Sequence, residues 1–133
     1  MKKLKWIISS ITFLSVFIIV IFIVLSNISE SKYPRGGRDT VKEFGDARFV
    51  ILVGYNSDNS KFWTLYDRSD YGKSLDEDVY VYEDKKPFAY VIGSEGYTLI
   101  NYKTGDIIQS NNLSDFNDEN INIFTKLKEK EKN

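Results

Sequence analysis

Residues 79–102 read VYVYEDKKPFAYVIGSEGYTLINY, and their pattern decides the fold. Three runs of aliphatic and aromatic residues, 79–82, 88–92 and 97–102, are separated by a charged turn ending at Pro87 and by the turn from Gly93 to Gly96. β-Branched and aromatic side chains suit a pleated, half-buried surface, whereas proline and glycine at this spacing reverse the chain. The segment therefore reads as three successive antiparallel strands.

The same signals continue on both sides. Lys103-Thr104-Gly105-Asp106 is a tight turn with glycine where a left-handed conformation is wanted, and Ile107-Ile108 opens a last short strand. Upstream, 49–53 (FVILV) is a continuous apolar run expected of a central strand covered on both faces, and 62–66 (FWTLY) is β-branched and aromatic. The turn cluster at 56–60 joins these two as a hairpin, and 67–78 reads as a polar loop containing Gly72. After the sheet the period changes. Ser114 or Asn117 can cap a helix on which Ile121, Phe124 and Leu127 recur at helical spacing, with acids at its start and lysines at its end. This helix should lie on the sheet and fray after Leu127.

Ahead of the domain, 6–25 reads WIISSITFLSVFIIVIFIVL, twenty residues without a charge. At the rise of an α-helix such a run spans ~30 Å, the thickness of a hydrocarbon core. A cleaved signal peptide has a shorter apolar core, of about 7–15 residues, and a small-x-small cleavage site. Val24-Leu25-Ser26 is a poor version of one, and without cysteine there is no lipobox. Lys2, Lys3 and Lys5 abut the run, while Lys32, Arg35 and Arg38 follow it at greater distance. The positive-inside rule then favours a cytoplasmic N-terminus and an outside domain. The expected fold class is α+β: an N-terminal transmembrane helix, then a small antiparallel β-meander of about five or six strands with a C-terminal amphipathic helix packed on it. Its segments are a signal anchor over 1–26, a juxtamembrane linker over 27–40 with flexible glycines, an extracytoplasmic domain over 41–127 and a charged tail over 128–133. The stretch 97–106 is similar to a hairpin of a β-propeller blade, but a propeller needs at least four blades, and this chain has room for one.

Composition narrows the chemistry. The chain has no cysteine and no histidine, which removes thiolate nucleophiles, the Ser-His-Asp arrangement and the usual zinc ligands. Its net charge of −1 includes no basic face, so nucleic acid is not an expected partner. Its wealth of Ile, Lys, Asn and Tyr is that of an AT-rich bacterial genome. The carboxylates at Asp76-Glu77-Asp78 and Glu83-Asp84 lack the spacing of a Ca²⁺ loop, and Asp67, Asp70 and Asp76 lack the cleft a glycosidase pair needs. They read as solvated loop charge, and no catalytic, metal or cofactor site is expected. The aromatic residues Trp63, Tyr66, Tyr80 and Tyr82 are the candidate patch for a partner, with Tyr80 and Tyr82 expected on one face. The functional expectation is a non-catalytic, single-pass module outside the cell membrane that binds a protein or cell-envelope component, held in the bilayer by 6–25. The alternative is a small secreted effector or enzyme released by cleavage after Ser26.

Overall fold

The computed structural model describes residues 16–21, 32–70 and 72–132, and the chain divides into two units, 1–30 and 31–133. In the first, 16–21 form a short helix, α1, with exposed apolar side chains. Among the described residues no helix is long and apolar enough to cross a membrane, and the rest of the expected anchor lies outside them.

The second unit holds eight strands in two four-stranded antiparallel sheets. β1 (Thr40–Phe44), β2 (Phe49–Tyr55), β3 (Lys61–Asp67) and β4 (Lys73–Asp76) follow one another in space as in sequence. So do β5 (Val79–Lys85), β6 (Phe88–Gly93), β7 (Gly96–Asn101) and β8 (Asp106–Ser110) in the second sheet. A 3₁₀ turn (Leu113–Asp115) leads into α2 (Asp118–Glu131).

Period-2 alternation divides the inner strands of the second sheet, β6 and β7, between two cores. Ala89 and Val91 of β6 turn one way, with Val79 and Ile100, to meet Phe44, Phe49, Ile51 and Leu65 of the first sheet. Tyr90 and Ile92 turn the other way, with Leu99, to meet Phe116, Phe124 and Leu127. The result is three layers: first sheet, second sheet, helix. Phe124 is the centre of the outer core, its ring 5.0 Å from Phe116, 5.2 Å from Tyr90 and 5.3 Å from Tyr97. Asn117 caps α2, its side chain accepting from the Asn120 N–H at 2.9 Å, and the Tyr90 hydroxyl donates to Asn120 Oδ1 at 2.8 Å.

The chain passes between sheets at the corner after β4. There the buried Asp76 carboxylate accepts from the backbone N–H groups of Asp78, Ser94 and Glu95 and from the Ser94 hydroxyl. A buried charge is tolerated where its lone pairs are satisfied, and this one fastens the corner to the β6–β7 turn.

The α+β class, the antiparallel pairing and the packed C-terminal helix match the sequence reading. The strand count does not: a single meander of five or six strands is replaced by two sheets of four. The two additional strands are β1, with the sequence TVKEF, and β4, KSLD, inside the expected polar loop. Both are edge strands, where charged residues are commonly placed because they discourage further pairing, so neither shows a strong apolar pattern. Two further expectations shift. The linker is tied down at its end, where Gly36 N–H donates to Glu43 Oε1 at 2.8 Å and Arg68 donates to the Pro34 carbonyl at 2.6 Å. The helix continues past Leu127 to Glu131, with Lys128 on the Tyr97 hydroxyl and Lys130 on Glu83.

Candidate functional site

β3 is the strand from which a site can be built. Its inner face gives Trp63, Leu65 and Asp67 to the interior side, and its outer face presents Phe62, Thr64 and Tyr66. β4 pairs with only part of it, at Leu65, Tyr66 and Asp67, so among the described residues 61–64 are paired on the β2 side alone. Val53 donates its N–H to the Asp39 carbonyl, on the β1 side of β2. Val53 and Trp63 are therefore a non-hydrogen-bonded pair, and Trp63 directs its own N–H and C=O away from β2, toward the unpaired edge.

Two adjoining cavities flank this edge and share Phe62 and Asp78. The larger, about 550 Å³, lies over the outer face of β3 and extends past Ser74 and the Glu77-Asp78 corner to Ser94. The smaller, about 220 Å³, lies between Lys61-Phe62-Trp63 and Asp78-Val79-Tyr80, where β3 and β5 diverge. The Phe62 ring lies across Gly54, its partner on β2: a Cβ there would stand 2.3 Å from the ring. The absence of a side chain at Gly54 is what allows the ring to lie down on the sheet.

Three of the four aromatic residues chosen from sequence border these cavities. Tyr66 lines the larger, while Trp63 and Tyr80 line the smaller. Tyr80 is 46% exposed. Tyr82 is turned into the interior, 6.1 Å from Phe44 and 6.2 Å from Trp63 between ring centres. The expectation that Tyr80 and Tyr82 share a face is thus corrected. A bulge between Val79 and Val81 takes Tyr80 out of the ladder, so Val79 and Tyr82 both reach the inter-sheet core while Val81 faces the helix. Sequence reasoning also passed over Phe62 and Ser74, and it read Glu77 and Asp78 as solvated loop charge. Only Phe62 left a signal, as the first of three same-face residues spaced by two, opposite a glycine.

The carboxylates away from the corner serve the architecture. Arg48 grips the buried Asp67 with two parallel bonds of 2.9 Å, and Ser69 adds its N–H and hydroxyl. Burial pushes the Asp67 carboxyl up, but these bonds outweigh it and bring the pKa down to about 2. Asp84 joins Lys42 at 2.9 Å and accepts from the Tyr102 hydroxyl at 3.0 Å. Burial and that bond push Tyr102 up to about 12. Glu83 is shielded from solvent, which raises its pKa, yet Lys130 and Lys85 hold it below the usual carboxylate value. Among the described residues no group of three acidic side chains is placed to hold a metal ion.

No protein family, no curated protein and no solved structure matches this chain.

Proposed function

We propose that the chain is a non-catalytic, membrane-tethered module whose domain stands outside the cell membrane and binds a protein or cell-envelope partner. The uncharged segment 6–25 is the tether, with the N-terminus in the cytoplasm. One observation carries the binding half of this reading: the half-paired β3, with Trp63 aiming backbone groups at an unoccupied edge between two cavities and the exposed Tyr80 beside it. A strand edge of this kind accepts an extended segment of a partner through main-chain hydrogen bonds, and cavities on either side take its alternate side chains. Aromatic residues at the rim supply rigid contact area. The buried carboxylates Asp67 and Asp76 are engaged in structural bonds. A tether raises the local concentration of a modest binder without any further contact.

The test combines location and capture. Membrane fractionation of the full-length chain, followed by external protease on intact protoplasts, should find it in the membrane and lose its domain to protease. A photocrosslinker at Tyr80 should then trap a partner from the envelope. A chain recovered from the medium, shortened after Ser26, would replace the tethered binder with a secreted effector. A domain shielded from protease until lysis would reverse the orientation.

A further inference from the structure

The charge lining the larger cavity is unbalanced, and the imbalance names a ligand class. Three of its neutral side chains donate within the domain. Asn56 Nδ2 donates to Ser60 Oγ at 2.8 Å, the Thr64 hydroxyl to the Glu77 carbonyl at 3.2 Å, and the Ser94 hydroxyl to Asp76 at 3.0 Å. Facing them, among the described residues, are two carboxylates and one hydroxyl without partners of their own. The exposed side chains of Glu77 and Asp78 form no ion pair among the described residues. The Ser74 Oγ on the same wall is buried and has no hydrogen-bond partner. Among the described residues no lysine or arginine lines this cavity.

A ligand that fits must therefore bring donors and positive charge, and it must tolerate an aromatic surface, because Phe62 and Tyr66 form part of the wall. Ammonium and guanidinium groups meet all three requirements, through charge-assisted hydrogen bonds to carboxylates and attraction to a ring face. An anion meets two unpaired carboxylates. A neutral sugar leaves the charge of both carboxylates uncompensated. The cavity falls in the size range of ligand sites, about 300–1,000 Å³, and adjoins the unpaired β3 edge. A side chain projecting from a segment laid along that edge reaches it directly.

Resting on the reading of the domain as a partner-binding module, we infer that this cavity receives a lysine or arginine side chain of that partner, held by Glu77 and Asp78 against the Phe62 ring. The partner segment is thus basic as well as extended. A rim of opposite charge also speeds encounter, so association should weaken as salt rises.

The full-length chain, purified in mild detergent, is titrated with short acetylated glycine peptides carrying one lysine, arginine, glutamine or glutamate, and with spermidine, while NMR follows the backbone amides of β3. The lysine and arginine peptides should bind about tenfold more tightly than the glutamine peptide, and the glutamate peptide should not bind. The Glu77→Gln/Asp78→Asn double variant alters two exposed side chains and should keep the melting temperature while losing about tenfold in affinity. Equal affinity for the glutamine peptide, or an unchanged double variant, overturns the inference. Spermidine binding without peptide binding overturns the partner assignment in favour of a free polyamine. Crosslinked capture that persists in the double variant leaves the partner-binding reading standing and removes the cation site. Peptide binding in a chain that captures nothing does the reverse.

Discussion

The two sheets have the same strand number, the same antiparallel pairing and the same sequential order, yet they differ in what covers them. The second is enclosed, with the first sheet on one face and α2 on the other, and Ala89, Tyr90, Val91 and Ile92 of its β6 are all buried. The first is covered by its partner sheet on the inner face only, and its outer face keeps Phe62 and Tyr66 half-buried beside an open cavity. Enclosure commits the apolar side chains of the central strand to packing, and an uncovered face leaves some for recognition. The comparison predicts where substitutions should damage the fold and where they should damage only binding.

Its sharpest test is a pair of phenylalanines. Phe124 is fully buried at the centre of the helix-side core, and Phe124→Ala should cost about 3–5 kcal/mol in denaturant unfolding, through lost burial and the cavity left behind. Phe62→Ala on the open face should cost about 1 kcal/mol, because its ring is half-buried and has no second layer above it. Equal losses would break the contrast between the sheets.

The next effect belongs to the end of the first sheet. Asp67 is 4% exposed, and its pKa falls from the ordinary 3.8 to about 2 in the fold. A depressed carboxylate contributes stability that is present in full above the unfolded value and is lost as pH falls through the folded one. About 2 kcal/mol should therefore disappear between roughly pH 4 and pH 2. Asp67→Asn should flatten that limb of the stability–pH curve, measured by urea unfolding at each pH. An unchanged acid limb would mean that the Arg48 pair does not hold the end of β3.

A smaller effect probes the cover on the second sheet. Asn117→Ala removes the side-chain acceptor from the Asn120 N–H and should cost about 1 kcal/mol. Hydrogen exchange should show the loss first in the opening turn of α2, and protection there that stays intact would show that packing of Phe116 and Phe124 alone fixes the helix.

Legibility in the sequence follows the same division. The enclosed sheet announced itself: in 88–92 and 97–102 alternate residues go to two apolar cores, which leaves a dense aliphatic and aromatic pattern. The helix was equally plain, with Asn117 as cap and Phe124 and Leu127 as its buried stripe. The edge strands β1 and β4 were hidden because an edge needs polar residues, and TVKEF and KSLD resemble loop. The bulge at Tyr80 was hidden for another reason. Val79-Tyr80-Val81-Tyr82 alternates without fault, and only the pairing of Val79 with Gly93 and Val81 with Ile92 reveals the shift. The larger cavity depends on Ser74, Glu77 and Asp78, far from Phe62 in sequence, meeting at a corner between sheets that no local pattern encodes.

Tyr80 is where the contrast between packing and recognition is finest, since it sits on the enclosed sheet but is excluded from both of that sheet's cores. The bulge places it at the rim, 46% exposed, against Trp63 and Phe62 across the smaller cavity. Neither core includes it, so Tyr80→Thr, which keeps strand propensity, should change stability by no more than about 0.5 kcal/mol. Tyr82, two residues on, packs on Phe44 and Trp63, and Tyr82→Thr should cost several times as much. Partner capture should show the opposite order, falling for the Tyr80 variant at unchanged stability. If Tyr80→Thr instead lowers the unfolding midpoint as far as Tyr82→Thr, the bulge is a packing device, and the rim on which the groove depends is part of the core.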